Sequence, residues 1–117
     1  AIVGGDYDNT NIGASWIFTR TGNTWAQQGD KLVGTGYTGS PAQGTSVALS
    51  VDGNTAIVGG LSDGGSKGAV WVFTRNNNVW TQNGDKLTGQ GIQGNWGSFG
   101  KSVSLNAGGN LALVGGN

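Results

Sequence analysis

Ala69-Val70-Trp71-Val72-Phe73-Thr74-Arg75 opens with five apolar side chains in a row. Alternate residues of a strand point to opposite faces. Ala69, Trp71 and Phe73 then share one face, and Val70 and Val72 share the other. A strand that is apolar on both faces is covered on both. In an all-antiparallel protein that cover comes from sheets stacked on either side. The stretch has a twin, Trp16-Ile17-Phe18-Thr19-Arg20, so the arrangement is built twice.

Other blocks repeat in step. Ala1-Ile2-Val3-Gly4-Gly5 returns as Ala56-Ile57-Val58-Gly59-Gly60 and as Ala112-Leu113-Val114-Gly115-Gly116. Trp25 returns as Trp80, Gly29-Asp30-Lys31-Leu32 as Gly84-Asp85-Lys86-Leu87, and Ser46-Val47-Ala48-Leu49 as Ser102-Val103-Ser104-Leu105. The offset is 55 residues through Gly39/Gly94 and 56 from Gly44/Gly100 onward, so the second copy gains one residue near Trp96. Roughly half of the aligned positions are identical, which marks an internal repeat. The divisions are 1–55 (repeat 1), 56–111 (repeat 2) and 112–117 (first strand of a third repeat).

Each unit reads as four short strands. The first covers about 45–50, with a counterpart at 101–105. The turn Asp52-Gly53-Asn54 leads to a second strand at about 55–58, ended by Gly59-Gly60. The third covers about 69–75, with a counterpart at 14–20, and the fourth starts at Trp25 or Trp80. Trp80-Thr81-Gln82-Asn83 is polar, as suits an outer edge. No apolar period of 3.6 exists and glycine recurs throughout, so helix is not expected. Four-stranded antiparallel sheets, apolar inside and polar outside, repeated about every 50 residues, describe the blades of an all-β propeller. Repeat 1 supplies three strands of one blade and the first of the next. The full count is three, four and two strands. A ring needs about four to eight blades, so this chain does not close by itself. Its beginning and end fall in the same phase of the repeat, as in a cut-out from a periodic chain, and its start at Ala1 inside an apolar run suits a mature product or a segment of something longer.

These blocks resemble the FG-GAP repeat family, the repeat of the integrin α-subunit propeller and of many secreted bacterial proteins. Phe99-Gly100 stands for the FG, and Leu113-Val114-Gly115-Gly116 for the GAP region. Gly68-Ala69-Val70-Trp71-Val72-Phe73 and Trp80-Thr81-Gln82 are similar to the bacterial subgroup. The chain departs from the pattern at Gln43-Gly44, which replaces Phe-Gly, and in using Gly-Gly for the Ala-Pro of GAP. The resemblance implies a propeller fold, an extracellular or cell-surface location in a bacterium, and calcium loops between second and third strands.

Composition narrows the chemistry. The 117 residues include 25 glycines and no cysteine, methionine or histidine, and only 10% are charged. Six basic residues balance six acids, all aspartate; a nucleic-acid binder needs a basic surplus. Zinc, haem and thiol chemistry have no ligand or nucleophile. No apolar run reaches about 18 residues, so no membrane insertion is expected. General acid–base work would fall to Asp, Lys or Tyr. The acids are spread one per loop or repeat, whereas glycoside hydrolysis needs two carboxylates facing one cleft. The expected protein is therefore not an enzyme.

The acidic cluster is Asp6-Tyr7-Asp8-Asn9-Thr10-Asn11-Ile12-Gly13. Asp6, Asp8, Asn9 and Asn11 offer oxygens at the spacing calcium uses, without the strict D-x-D-x-D-G form. The same side chains also suit turn capping. No other cofactor is implied. Asp30-Lys31 and Asp85-Lys86 recur, which argues for scaffold or solvated charge, with Arg20 and Arg75 as cross-strand partners of the aspartates. Trp96 and Tyr37 lie on the Gly-rich connections, where an aromatic can stack on a sugar or pack on a neighbour. Two functions follow: a non-catalytic extracellular structural protein, its repeats stacked on identical repeats or subunits through blade faces and edge strands in a tandem array, oligomer or filament; or a lectin-like, adhesive module that takes glycans through Trp96 and Tyr37.

Overall fold

A computed structural model describes residues 1–117. The chain is mostly β, with 46% strand and 7% helix. Nine strands run in order: β1 (Ile2–Gly5), β2 (Ala14–Thr21), β3 (Thr24–Gln27), β4 (Gln43–Leu49), β5 (Thr55–Gly60), β6 (Ala69–Asn76), β7 (Val79–Gln82), β8 (Ser102–Leu105) and β9 (Ala112–Gly115). They form three antiparallel sheets, ordered β1-β2-β3, β4-β5-β6-β7 and β8-β9, none of them closed. The expected distribution of three, four and two strands is thus observed.

The middle sheet holds the core. All six residues of β5 are buried. Val58 pairs with Trp71 and Ala56 with Phe73 across the β5–β6 ladder. These four join Ala69 and, from the first repeat, Ile17 and Leu32 in one apolar cluster. Val70 is fully buried on the opposite face, toward the third sheet. The outermost strand β3 is exposed along its whole length. Burial peaks in the middle strands β5 and β6, is lower in β4, and is least in the polar last strands β7 and β3.

Two details differ from the sequence reading. The second strand does not stop before its glycines: Gly59 pairs with Val70 and Gly60 with Ala69 inside the ladder. A Cβ on Gly59 would strike the backbone of Gly100, and one on Gly4 would strike Gly44 in the same way. The glycines are there because neighbouring sheets meet backbone to backbone. The chain also contains two four-residue helical turns, α1 (Asp8–Asn11) and α2 (Asp63–Ser66). Their central residues are left-handed: Asn9 at φ 49°, ψ 56° and Thr10 at φ 58°, ψ 50°. Gly64 and Gly65 hold the same places in the second copy. Each is a reversal between strands.

The sheets are joined by matching contacts. Gly13 bridges Gln43 in parallel, and Gly68 bridges Phe99 likewise. Ser15 bridges Leu32, and Val70 bridges Leu87, antiparallel. The connection 28–42 leaves β3, passes over the middle sheet and enters β4. Trp71 donates its indole N–H to Thr35 O at 2.8 Å, and the Gln43 amide pairs both ways with the Gly34 backbone, at 2.6 and 2.9 Å. In the second copy Phe99 takes the place of Gln43 and packs at Gly89 instead.

Candidate functional site

The loop from Asp6 to Gly13 lies between β1 and β2. Of its four oxygen-bearing candidates, Asp8 is paired with a lysine, and Asp6 and Asn11 line a hollow. Asp8 faces Lys31, with Nζ to Oδ2 at 2.5 Å. The second copy repeats the pair as Asp63–Lys86 at 2.6 Å. Lys31 and Lys86, expected as scaffold or solvated charge, are thus tied to loop acids 23 residues earlier. The two pairs sit in unlike surroundings. The Lys31 and Asp8 side chains are 42% and 28% exposed, whereas those of Lys86 and Asp63 are 24% and 3% exposed. Asp63 also accepts from the Thr38 backbone N–H at 2.8 Å, which anchors the connection 28–42 at that end.

Asp6 and Asn11 go elsewhere. They line a hollow of about 420 Å³ between the first and second sheets, together with Tyr7, Ser40, Thr45 and Ser62. Asp8 and Asn9 do not line it. No group of three or more Asp, Glu, His or Cys side chains converges on a point that could hold a metal. The carboxylate hydrogen bonds of the chain are made by Asp8, Asp52 and Asp63, so the Asp6 carboxylate is uncommitted. The Tyr7 ring is 77% exposed at the edge of the hollow. Tyr7 and the hydroxyls of Ser40, Thr45 and Ser62 were not singled out in the sequence. The signal was present: Asp6-Tyr7 becomes Leu61-Ser62 in the second copy, so these two residues are not demanded by the repeat.

Trp96 and Tyr37 are both solvent-facing, at 75% and 37% exposure. They occupy equivalent connections of different repeats, and neither lines any of the four hollows of the chain.

Arg20 and Arg75 do not pair with Asp30 and Asp85, contrary to the expectation. Each guanidinium lies over the tryptophan opposite it, Arg20 over Trp25 at 5.8 Å and Arg75 over Trp80 at 5.5 Å. The register decides this, because Arg20 faces Trp25 and Arg75 faces Trp80 across the ladders. Cation–π contact follows from that adjacency. Gln28 of the first connection then accepts from Arg75 Nη1 at 3.2 Å and from Trp80 Nε1 at 2.9 Å. Nearby, the Ser50 hydroxyl and then the Asn54 backbone N–H hold the Asp52 carboxyl below its ordinary value, with Arg75 adding a smaller pull and burial opposing.

Compared with protein-family models and with curated proteins, the sequence matches none.

Proposed function

We propose that this chain is a non-catalytic segment of a β-propeller of the FG-GAP type, an extracellular structural protein whose sheets act as blades stacked on like repeats. The observation that carries the reading is the connection 28–42. It leaves one sheet and covers the next, through Gln28 to Trp80, Thr35 to Trp71 and Thr38 to Asp63. The connection 83–98 leaves the middle sheet with matching bridges at its two ends, Val70–Leu87 and Gly68–Phe99. It is directed at the β8–β9 sheet, where Leu113 is 76% exposed. In an array of such repeats each connection would cover the sheet that follows it, which is the logic of nearest-neighbour stacking.

The carbohydrate-binding alternative through Trp96 and Tyr37 has less support, since neither side chain borders a concavity.

The test uses the phase of the repeat. Residues 1–111 are joined directly to a second 1–117, so that Ala1-Ile2-Val3-Gly4-Gly5 of the second copy falls where residues 112–116 stood. Stacking predicts one cooperative melt at a clearly higher midpoint than the single chain. A fused chain that melts like its single parent would refute the reading.

A further inference from the structure

We infer that the hollow bounded by Asp6 and Tyr7 is a binding site for a neutral pyranoside. It lies between two sheets whose facing strands, β1 and β4, are both in place. Its volume of about 420 Å³ falls in the range of small-molecule sites, roughly 300–1,000 Å³. The inference is independent of the assembly reading above.

The wall chemistry selects the ligand class. The Asp6 carboxylate is half-buried, takes part in neither ion pair of the chain and accepts none of its carboxylate hydrogen bonds. An ionised carboxylate only accepts, so the ligand must bring donors, and a pair of adjacent hydroxyls can supply both oxygens at once. Asn11 adds an amide that donates and accepts, and Ser40 and Ser62 add hydroxyls that do the same. Thr45 donates its hydroxyl to Ala42 O at 2.6 Å, which leaves its oxygen free to accept. The exposed Tyr7 ring offers an apolar face with a polar tip, suited to the C–H face of a sugar ring. Anionic sugars are disfavoured. Asp6 has no cation paired with it, and Lys31 and Lys86 are spent on Asp8 and Asp63.

Comparison of the two repeats separates this site from the scaffold. Residues that hold sheets together recur in both copies: Gly13/Gly68, Lys31/Lys86 and Asp8/Asp63. Asp6 and Tyr7 do not, being replaced by Leu61 and Ser62. The second copy keeps its fold without them, so packing does not account for a free carboxylate and an exposed phenol side by side.

The experiment is a residue-resolved NMR titration of the protein with the methyl pyranosides of glucose, mannose, galactose, fucose and N-acetylglucosamine, with methyl glucuronide as the anionic control and calcium chloride as a separate arm. At least one neutral pyranoside should shift the amides of Tyr7, Asn11 and Ser62, and the glucuronide should bind more weakly. Asp6→Asn and Tyr7→Ala should each weaken binding by about tenfold or more, while Trp96→Ala and Tyr37→Ala should leave it unchanged. Shifts centred on Trp96, a response to calcium with none to any pyranoside, or silence in every arm would each overturn the inference. Retained affinity in both Asp6→Asn and Tyr7→Ala would do so too. Both positions are on the surface loop, and the shift map on the unaltered protein stands whatever the variants do to stability.

Discussion

The indole of Trp71 lies against the backbone of Gly34, 37 positions earlier in the chain, and donates to Thr35 O at 2.8 Å. One sheet is thereby clasped by the connection that left its neighbour. A Cβ on Gly34 would collide with the Trp71 indole ring. Nothing about the Gly34 backbone itself requires glycine; the indole does.

Gly34→Ala should therefore destabilise the chain by about 2–3 kcal/mol, the cost of forcing a methyl into a filled core. Gly36→Ala, where a Cβ meets nothing but φ is 79°, isolates the backbone cost of about 1–2 kcal/mol. Chemical denaturation of both variants measures the difference. Equal losses would mean that the Trp71 contact contributes little.

Ser15 is fully buried and its hydroxyl has no partner. Its counterpart in the second copy is Val70. Ser15→Ala removes an unsatisfied polar group and should raise stability by about 1 kcal/mol. The thermal midpoint should rise; a fall would show that the hydroxyl has a partner in solution.

The two ion pairs should respond differently to the same truncation. Asp8→Ala breaks a solvated pair and should cost at most about 1 kcal/mol. Asp63→Ala leaves Lys86 and the Thr38 N–H without their buried acceptor, and should cost about 3 kcal/mol. Denaturant midpoints of the two variants check this, and similar losses would contradict it.

Asp52 gives stability a pH dependence. Its carboxyl is held below the ordinary value chiefly by Ser50 and then by Asn54. A depressed native pKa means that the unfolded chain takes up the proton first. The contribution is then fully present above about pH 4 and is lost as pH falls through the native value. Asp52→Asn should flatten the acid limb of a stability–pH curve. An unchanged limb would assign the acid sensitivity to other carboxyls.

Much of the fold could be read from residue patterns. The two-faced apolar run at Ala69–Phe73 foretold a sheet covered on both sides, because strand alternation is local. The repeat offset fixed which strands correspond. What escaped depended on contacts distant in sequence. Asp8 and Lys31 meet only because the connection after β3 folds back along the sheet. The amide of Gln43 departs from Phe-Gly in the sequence, and its role is to satisfy the Gly34 N–H and C=O, a pairing that Phe99, packed at Gly89 in the second copy, has no polar group to make. The charge of Arg20 suggests an aspartate partner, whereas the strand register places Trp25 opposite it. The hollow at Asp6 and Tyr7 is half visible in the sequence: the acid stands out, but the hydroxyls that complete it come from residues 34 to 56 positions further on, Ser40 before β4, Thr45 on β4 and Ser62 after β5.

Sedimentation of residues 1–117 over rising concentration tests the stacking claim most directly, with Leu113→Asp on β9 run beside it. Stacking predicts a mass that climbs with concentration toward whole multiples of the chain, and a variant that stays at the mass of one. A single-chain mass at every concentration, the same with and without the aspartate, would contradict it.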